Sequence, residues 1–332
     1  MSTQPINSLT SGQGIEAVYL LKTATPKLTN ATPAKEYLDI VLSDKTGEIE
    51  AKLWDVTAVQ KEIFKAPMLV RIAGNVHTYN DKLQLRINRI AETDLLDGSN
   101  MIEFVRSAPE DPDHLVTVIK QTAGMIGHND IRRIVLDCIE RAGRRLETYP
   151  AAKAMHHAYN GGLAYHTKRM LELGEYLITQ RPFLNADLLR AGIILHDIAK
   201  TEEMTAELGV VQEYSTRGKL IGHISLASNW IVDAASRLGI ELDSEPVMLL
   251  QHMVLSHHNL GEWGSPVQPQ TPESVALHLI DQLDAKLQAA EDALSALSEG
   301  EEWTPAVPSL ERKALYRSGL TPSKVDVREV WD

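Results

Sequence analysis

The sequence predicts a multidomain chain of two unlike parts, a small all-β barrel followed by an all-α helical bundle. Three observations carry that prediction. Residues 14–92 alternate apolar and polar side chains between turn signals, the apolar spacing changes to three or four residues from Asp113 onward, and Asp97-Gly98-Ser99, Pro109 and Pro112 mark the change. The expected units are a flexible N-terminus (1–13), a β unit (14–92), a linker with one short helical turn (93–112), a helical unit (113–315) and a tail (316–332). Pro305, Pro308 and Pro322 predict that the chain from about Glu299 is loosely attached.

In the β unit, Leu38, Ile40 and Leu42 alternate with Asp39, Val41 and Ser43 ahead of the turn Asp44-Lys45-Thr46-Gly47. Ile49, Ala51 and Leu53 then alternate with Glu50, Lys52 and Trp54, completing a hairpin. A second hairpin follows from Val70, Ile72 and Val76, the turn Asn80-Asp81, and Leu83, Leu85 and Ile87. Between them, Val56, Val59 and Ile63 fall at helical spacing with Asp55 as N-cap. Five strands with one helix after the third is the order of an OB-fold barrel, which holds single-stranded nucleic acid by stacking and backbone contacts on one sheet face. With Leu53, Ile72 and Leu85 turned to the core, Lys52, Trp54, Arg71 and Arg86 face outward as candidate nucleic-acid-binding residues, and His77 and Tyr79 are weaker ones. Packing of Trp54 beneath the helix, and ordinary solvation of the basic residues, are the competing readings.

Downstream, the stretches 114–125, 129–146, 186–200, 219–238, 246–258 and 272–296 carry helical apolar spacing. Apolar residues make up 43% and charged residues 23%, ordinary for a soluble globular protein. No run approaches the roughly 18 apolar residues of a membrane span, and the first residues lack a basic, then apolar, leader pattern. A cytoplasmic protein without a membrane partner is expected, and the single cysteine, Cys138, suits a reducing compartment. The net charge of −12 is uneven: residues 14–92 hold 11 basic and 10 acidic side chains, whereas residues 93–332 hold 22 and 35. An acidic domain that handles phosphates needs cations in its site.

The chemistry centres on His196-Asp197, after the apolar run Ile193-Ile194-Leu195. A buried, unpaired aspartate there would cost several kcal/mol, so a cationic partner is required. His166, His223, His257-His258 and Asp281 complete the string H…HD…H…HH…D. Neutral imidazoles and carboxylates from separate helices can converge on one cavity, and mixed N/O ligation suits Mn, Fe, Co, Ni or Zn. The string resembles the HD superfamily of metal phosphohydrolases, in particular its two-metal members. That resemblance implies one divalent ion on His166, His196, Asp197 and Asp281 and a second on His223, His257 and His258, with Asp197 shared. It further implies that a water activated by the metals attacks phosphorus. Asp197, His196 and Lys200 are then the candidate catalytic residues, although Lys200 also reads as a solvated lysine at a helix end. His156, His157 and His278 are candidates for phosphate contacts or for hydrogen bonds that support the ligands. Gly162, one turn before His166, offers no carboxylate for a third metal.

Over residues 14–315 the arrangement resembles the YhaM family of bacterial 3′-to-5′ exoribonucleases. The matching segments are HHAYNGGLAYHT (156–167), LHDIAK (195–200), GKLIGHI (218–224), SHHNLGEWGSPVQPQTPE (256–273) and LHLIDQLDAK (277–286). The resemblance implies two divalent cations, Mn²⁺ foremost, and 3′-to-5′ hydrolysis of single-stranded RNA to nucleoside 5′-monophosphates. Single-stranded DNA as an additional substrate and a homo-oligomeric state stay open. Two other readings are a nucleotide or cyclic-nucleotide phosphodiesterase with a regulatory OB module, and a single-stranded nucleic-acid-binding protein with a structural metal site.

Overall fold

Five strands close into the barrel: β1 (Gly14–Leu28), β2 (Glu36–Asp44), β3 (Gly47–Trp54), β4 (Met68–Tyr79) and β5 (Lys82–Glu92), in the order β1-β2-β3-β5-β4. The computed structural model describes residues 4–29, 32–80, 82–93, 104–153, 157–207, 209–297 and 300–320. Closure depends on the length of β1, whose first half pairs with β4 (Gly14 to Asn75) and whose second half pairs with β2 (Leu28 to Glu36) across an irregularity between Leu21 and Thr23. β3 and β5 run parallel and all other neighbours antiparallel, which is the OB topology. At the β4–β5 bulge a Cβ on Gly74 would meet the Arg86 carbonyl oxygen at 2.4 Å, so no larger residue fits. Inward residues alternate as the period-two pattern requires: Leu38, Ile40, Leu42, Leu53, Ile72 and Leu85 are all buried. The helix after β3 is α1 (Ala58–Ile63), shorter than 55–65 and capped by Thr57 with Gln60 rather than by Asp55; its Val59 and Ile63 remain exposed.

Two segments expected to be loose are packed where the structure describes them. Ile6 and Leu9 are buried against the barrel core, and the Ile6 amide donates to Asp44 Oδ2 at 2.9 Å, so residues 4–13 are not a flexible end. The linker glycine at Asp97-Gly98-Ser99 lies outside the described residues, but Phe104 and Val105 are buried with Val18, Leu20 and Leu69 of the barrel and Val210 of the second unit.

The second unit is a bundle of α2 (Pro112–Gly124), α3 (Asn129–Ala142), α4 (Arg145–Thr148), α5 (Gly162–Gln180), α6 (Ala186–Leu195), α7 (Lys200–Glu203), α8 (Thr216–Leu238), α9 (Glu245–Ser256) and α10 (Pro272–Ser295). The periodicity predicted one helix over 129–146, but Gly143 at φ +56° ends α3 and α4 follows. Helix α6 is buried along Leu188, Leu189, Ala191, Gly192, Ile193, Ile194 and Leu195, so its C-terminal end lies in the interior. A short hairpin, β6 (Met204–Glu207) and β7 (Val210–Tyr214), interrupts the helices. Beyond α10 the chain turns back instead of trailing away: Trp303 bridges to Tyr316 and Val307 to Lys313, around a 3-10 turn at Pro308–Leu310. That corrects the loose attachment expected from Glu299, within the described residues; 321–332 lie outside them.

Candidate metal centre

Five elements deliver the candidate ligands to one place. His166 sits on α5, His196 and Asp197 follow the buried end of α6, His223 lies in α8, His257 and His258 follow α9, and Asp281 is on α10. His166, His196, Asp197 and His257 are each at most 3% exposed. The geometry of α8 is special. Gly222 has φ +75° and ψ 154°, a break that only glycine adopts without strain, and His223 follows it directly.

The imidazoles are oriented alike, each by its Nδ1. His196 Nδ1 donates to Ile193 O at 2.8 Å, His257 Nδ1 to Val254 O at 2.7 Å, and His258 Nδ1 to Trp263 O at 2.6 Å. His223 Nδ1 donates to Glu203 Oε1 at 3.0 Å, and His166 Nδ1 to Asp284 Oδ2 at 2.7 Å. Every acceptor is a carbonyl or carboxylate oxygen, so Nδ1 of each ring carries a proton and Nε2 is the nitrogen turned to the centre. Nε2 of His223 lies 3.2 Å and that of His257 3.9 Å from Asp197 Oδ1, while Nε2 of His196 lies 3.3 Å from Asp197 Oδ2. Nε2 of His166 is 3.3 Å from Asp281 Oδ1 and 4.0 Å from Asp197 Oδ2.

Asp197 Oδ1 and the Nε2 atoms of His196, His223 and His257 are buried, yet none makes a well-formed hydrogen bond among the described residues. Leaving four such atoms unsatisfied would cost roughly 1 to 3 kcal/mol each. A shared cation removes that cost, and the donor set of imidazole nitrogens and carboxylate oxygens suits a first-row divalent metal. Ligand atoms of His166, His196 and Asp281 lie within 4.8 Å of one another, and so do those of His223, His257 and His258. Asp197 stands between the groups. A third group, His157, His166 and Asp284, satisfies the same distance but is bonded within itself, so it supports rather than binds.

Charge follows the same layout. Burial opposes ionisation of Asp197, but the Lys200 ammonium, at 2.6 Å from Oδ2, and the His196 imidazole outweigh it and hold the carboxyl well below its usual range. Burial likewise opposes ionisation of Asp281, and the His166 hydrogen bond reverses it. Burial, then the neighbouring imidazoles of His258 and His196, push His257 far down, keeping it neutral and able to ligate. His166 differs: burial disfavours its charge, yet bonds to Asp281 and Asp284 raise it to about 9.

Above the ligands opens a cavity of ≈ 690 Å³, lined by Asp197, Lys200, His223, His258 and Asp281 and walled by Tyr214, Trp263, Lys286, Pro308, Ser309 and Glu311. The HD domain family model matches residues 163–286, which contain all of these candidate ligands. The 3′-5′ exoribonuclease YhaM of Shouchella clausii is 39% identical over 316 residues, 95% of this chain and 97% of that protein. The protein of the same name from Halalkalibacterium halodurans is 37% identical over the same shares. The chain belongs to the YhaM family. It is an enzyme, a metal-dependent hydrolase with an HD domain. Among solved structures, the second OB-fold domain of replication protein A from Methanococcus maripaludis aligns with 28% of this chain and 96% of its own at 18% identity and a TM-score of 0.25. The barrel's fold rests on its strand order instead.

Outside the centre, this YhaM-family chain places the remaining candidates unevenly. On the barrel, a groove of ≈ 720 Å³ is lined by Lys52, Trp54, Arg86, His77 and Tyr79, with Tyr37 beside them. Trp54 stacks on Tyr37 with ring centroids 4.7 Å apart and is 37% exposed, so it does not pack beneath α1. Lys52 is ion-paired with Asp39. Arg71 does not line the groove: it pairs with Val18 of β1 and Ala91 of β5, on another part of the barrel. His157 is fully buried, bonded to Tyr159 Oη at 2.7 Å and Asp284 at 2.8 Å, and so supports His166 instead of meeting a phosphate. His278 Nδ1 donates to the His257 carbonyl at 2.8 Å, tying α10 to that ligand's backbone. His156 lies outside the described residues. Sequence reasoning missed Asp284, Glu203 and Tyr37. The first two had a signal, one turn beyond Asp281 and one turn beyond Lys200 respectively.

Among the described residues no helix is long and apolar enough to cross a membrane.

Proposed function

We propose that this chain is a 3′-to-5′ exoribonuclease that hydrolyses single-stranded RNA to nucleoside 5′-monophosphates at a pair of divalent cations. The observation that carries the two-cation reading is the pair of donor triads meeting at the buried Asp197. His166, His196 and Asp281 with Asp197 would hold one ion, and His223, His257 and His258 with Asp197 the other. Such cations supply an activated water and neutralise phosphate oxygens. The residues contribute the rest. Glu203 and Asp284 fix the tautomers of His223 and His166. Lys200, 13% exposed and lining the cavity, is placed to hold a phosphate oxygen while still paired with Asp197. Cleavage of the P–O3′ bond leaves the phosphate on the 5′ side of the released nucleotide and a hydroxyl on the shortened strand.

RNA as substrate is supported by the relatives' names and by the aromatic groove on the barrel, where Trp54, Tyr37 and Tyr79 offer stacking faces among Lys52 and Arg86. Mn²⁺ is our expected metal, and the N/O donors accept Fe, Co, Ni or Zn as well. A lone buried thiol at Cys138 suits the cytoplasm, where the transcripts are. The test is to incubate Mn²⁺-loaded protein separately with a 5′-labelled oligoribonucleotide, its DNA counterpart and a cyclic dinucleotide. Shortening of the RNA in single-nucleotide steps supports the proposal. Turnover of the cyclic dinucleotide with intact RNA would replace it with a small-molecule phosphodiesterase whose barrel is regulatory.

A further inference from the structure

Beyond the HD-domain match, the metal cavity is walled by Ala151 and Ala152 and, on its polar side, by the turned-back segment 300–320. Pro308, Ser309 and Glu311 line the same ≈ 690 Å³ space as Asp197, His223 and Asp281, whereas the match ends at Lys286. The segment is held as a clasp. The Thr304 amide donates to Leu315 O at 2.9 Å, the Arg317 amide donates to Glu302 O at 2.7 Å, and the Trp303 and Tyr316 rings lie 5.1 Å apart. At its tip Glu311 (φ 56°) and Arg312 (φ 58°) are successive non-glycine residues in the left-handed region. Strain of this kind concentrates where a ligand is clamped.

Size and chemistry narrow the ligand. A space of ≈ 690 Å³ is that of a small-molecule pocket, the size of a terminal nucleotide or two. A wall on such a pocket is placed to meet the end of a strand. The 3′ end of RNA differs from every internal position by its two adjacent ribose hydroxyls. A carboxylate can accept from both, and a serine hydroxyl can donate and accept. The Lys313 bond comes first among the influences that keep the Glu311 carboxyl below its usual range, so it is an ionised acceptor at neutral pH. Its pairing with Lys313 at 2.6 Å is solvent-exposed on both sides and is easily exchanged for a ligand.

We propose that the clasp is the end-stop of the RNA path, and that Ser309 and Glu311 receive the 2′- and 3′-hydroxyls of the terminal ribose. This rests on the exoribonuclease reading above. The experiment uses full-length, Mn²⁺-loaded protein and two oligoribonucleotides of one sequence, ending in a ribonucleotide or in a 2′,3′-dideoxynucleotide, and follows release of the terminal nucleotide in a single turnover. Wild type should release the dideoxy end roughly 10- to 100-fold more slowly, since a site built to bond a hydroxyl rejects the analogue lacking it. Glu311→Gln and Ser309→Ala should slow release of the ribose end and leave the dideoxy end at the wild-type rate, so that discrimination shrinks. A melting curve establishes that each variant is folded, which the exposure of Glu311 favours. Variants that keep the wild-type discrimination, or are slowed equally on both ends, overturn the end-stop while leaving the exoribonuclease reading intact. A wild type that releases nothing from either end overturns both.

Discussion

Replacing Asp284 by alanine probes how the protein holds its metal without touching a candidate ligand. One oxygen, Oδ2, accepts from His157 Nε2 at 2.8 Å and from His166 Nδ1 at 2.7 Å, and the side chain is 2% exposed. Its removal strands two buried imidazole N–H groups, at roughly 1 to 3 kcal/mol each, so stability should fall by about 2 to 6 kcal/mol. His166 also loses the bond that sets its tautomer and ring angle, which predicts a loss of metal affinity of roughly 10- to 100-fold. Asp284→Asn keeps an acceptor oxygen without the charge and should fall between. The assay is calorimetric titration of chelator-stripped protein with Mn²⁺, alongside denaturant unfolding. A Mn²⁺ affinity and an unfolding midpoint both unchanged in Asp284→Ala would refute the idea that this carboxylate organises the site.

Further outcomes follow from the same geometry. His223→Ala removes a ligand from one donor triad only, so elemental analysis should show fewer metal ions per chain than in wild type; an equal count would remove His223 from the ligand set. Because His166 is raised to about 9 and a metal must displace its proton, metal affinity should rise with pH up to about 9 and level off above it. Titrations in buffers of different ionisation enthalpy should reveal the released proton, and a pH-independent affinity would contradict this. Trp54→Ala should weaken binding of single-stranded RNA by about 1 to 3 kcal/mol, with hydrolysis of a short substrate retained, as read by fluorescence anisotropy on both. Arg71→Ala, outside the groove, should change RNA affinity less than Arg86→Ala.

The candidate ligand string was legible because each member stands at a helix end or on a polar stripe of an otherwise apolar helix, where a buried ionisable group must be paired or bound to a cation. The orienting residues were not. Asp284 and Glu203 resemble ordinary helix carboxylates until the bundle brings α10 against α5 and α7 against α8. Period two gave the facing of Lys52, Trp54, Arg71 and Arg86, but not their neighbours. Barrel closure carries Arg71 to the β1 side and brings Tyr37 onto Trp54 across the β2–β3 pair. The clasp was hidden for a related reason. Its proline-rich sequence has no periodicity, and its contacts join residues far apart in the chain, such as Trp303 with Tyr316. Residues 4–13 misled similarly, since two apolar side chains, Ile6 and Leu9, suffice to anchor them.

The most direct test of the account is digestion of one RNA labelled at either its 5′ or its 3′ end, with wild type and Asp197→Ala, in Mn²⁺ and in excess chelator. We predict a descending ladder of 5′-labelled fragments, immediate release of the 3′ label as a nucleoside 5′-monophosphate, and no turnover in chelator or in Asp197→Ala. Internal fragments, release beginning at the 5′ end, or substantial turnover by Asp197→Ala would contradict it.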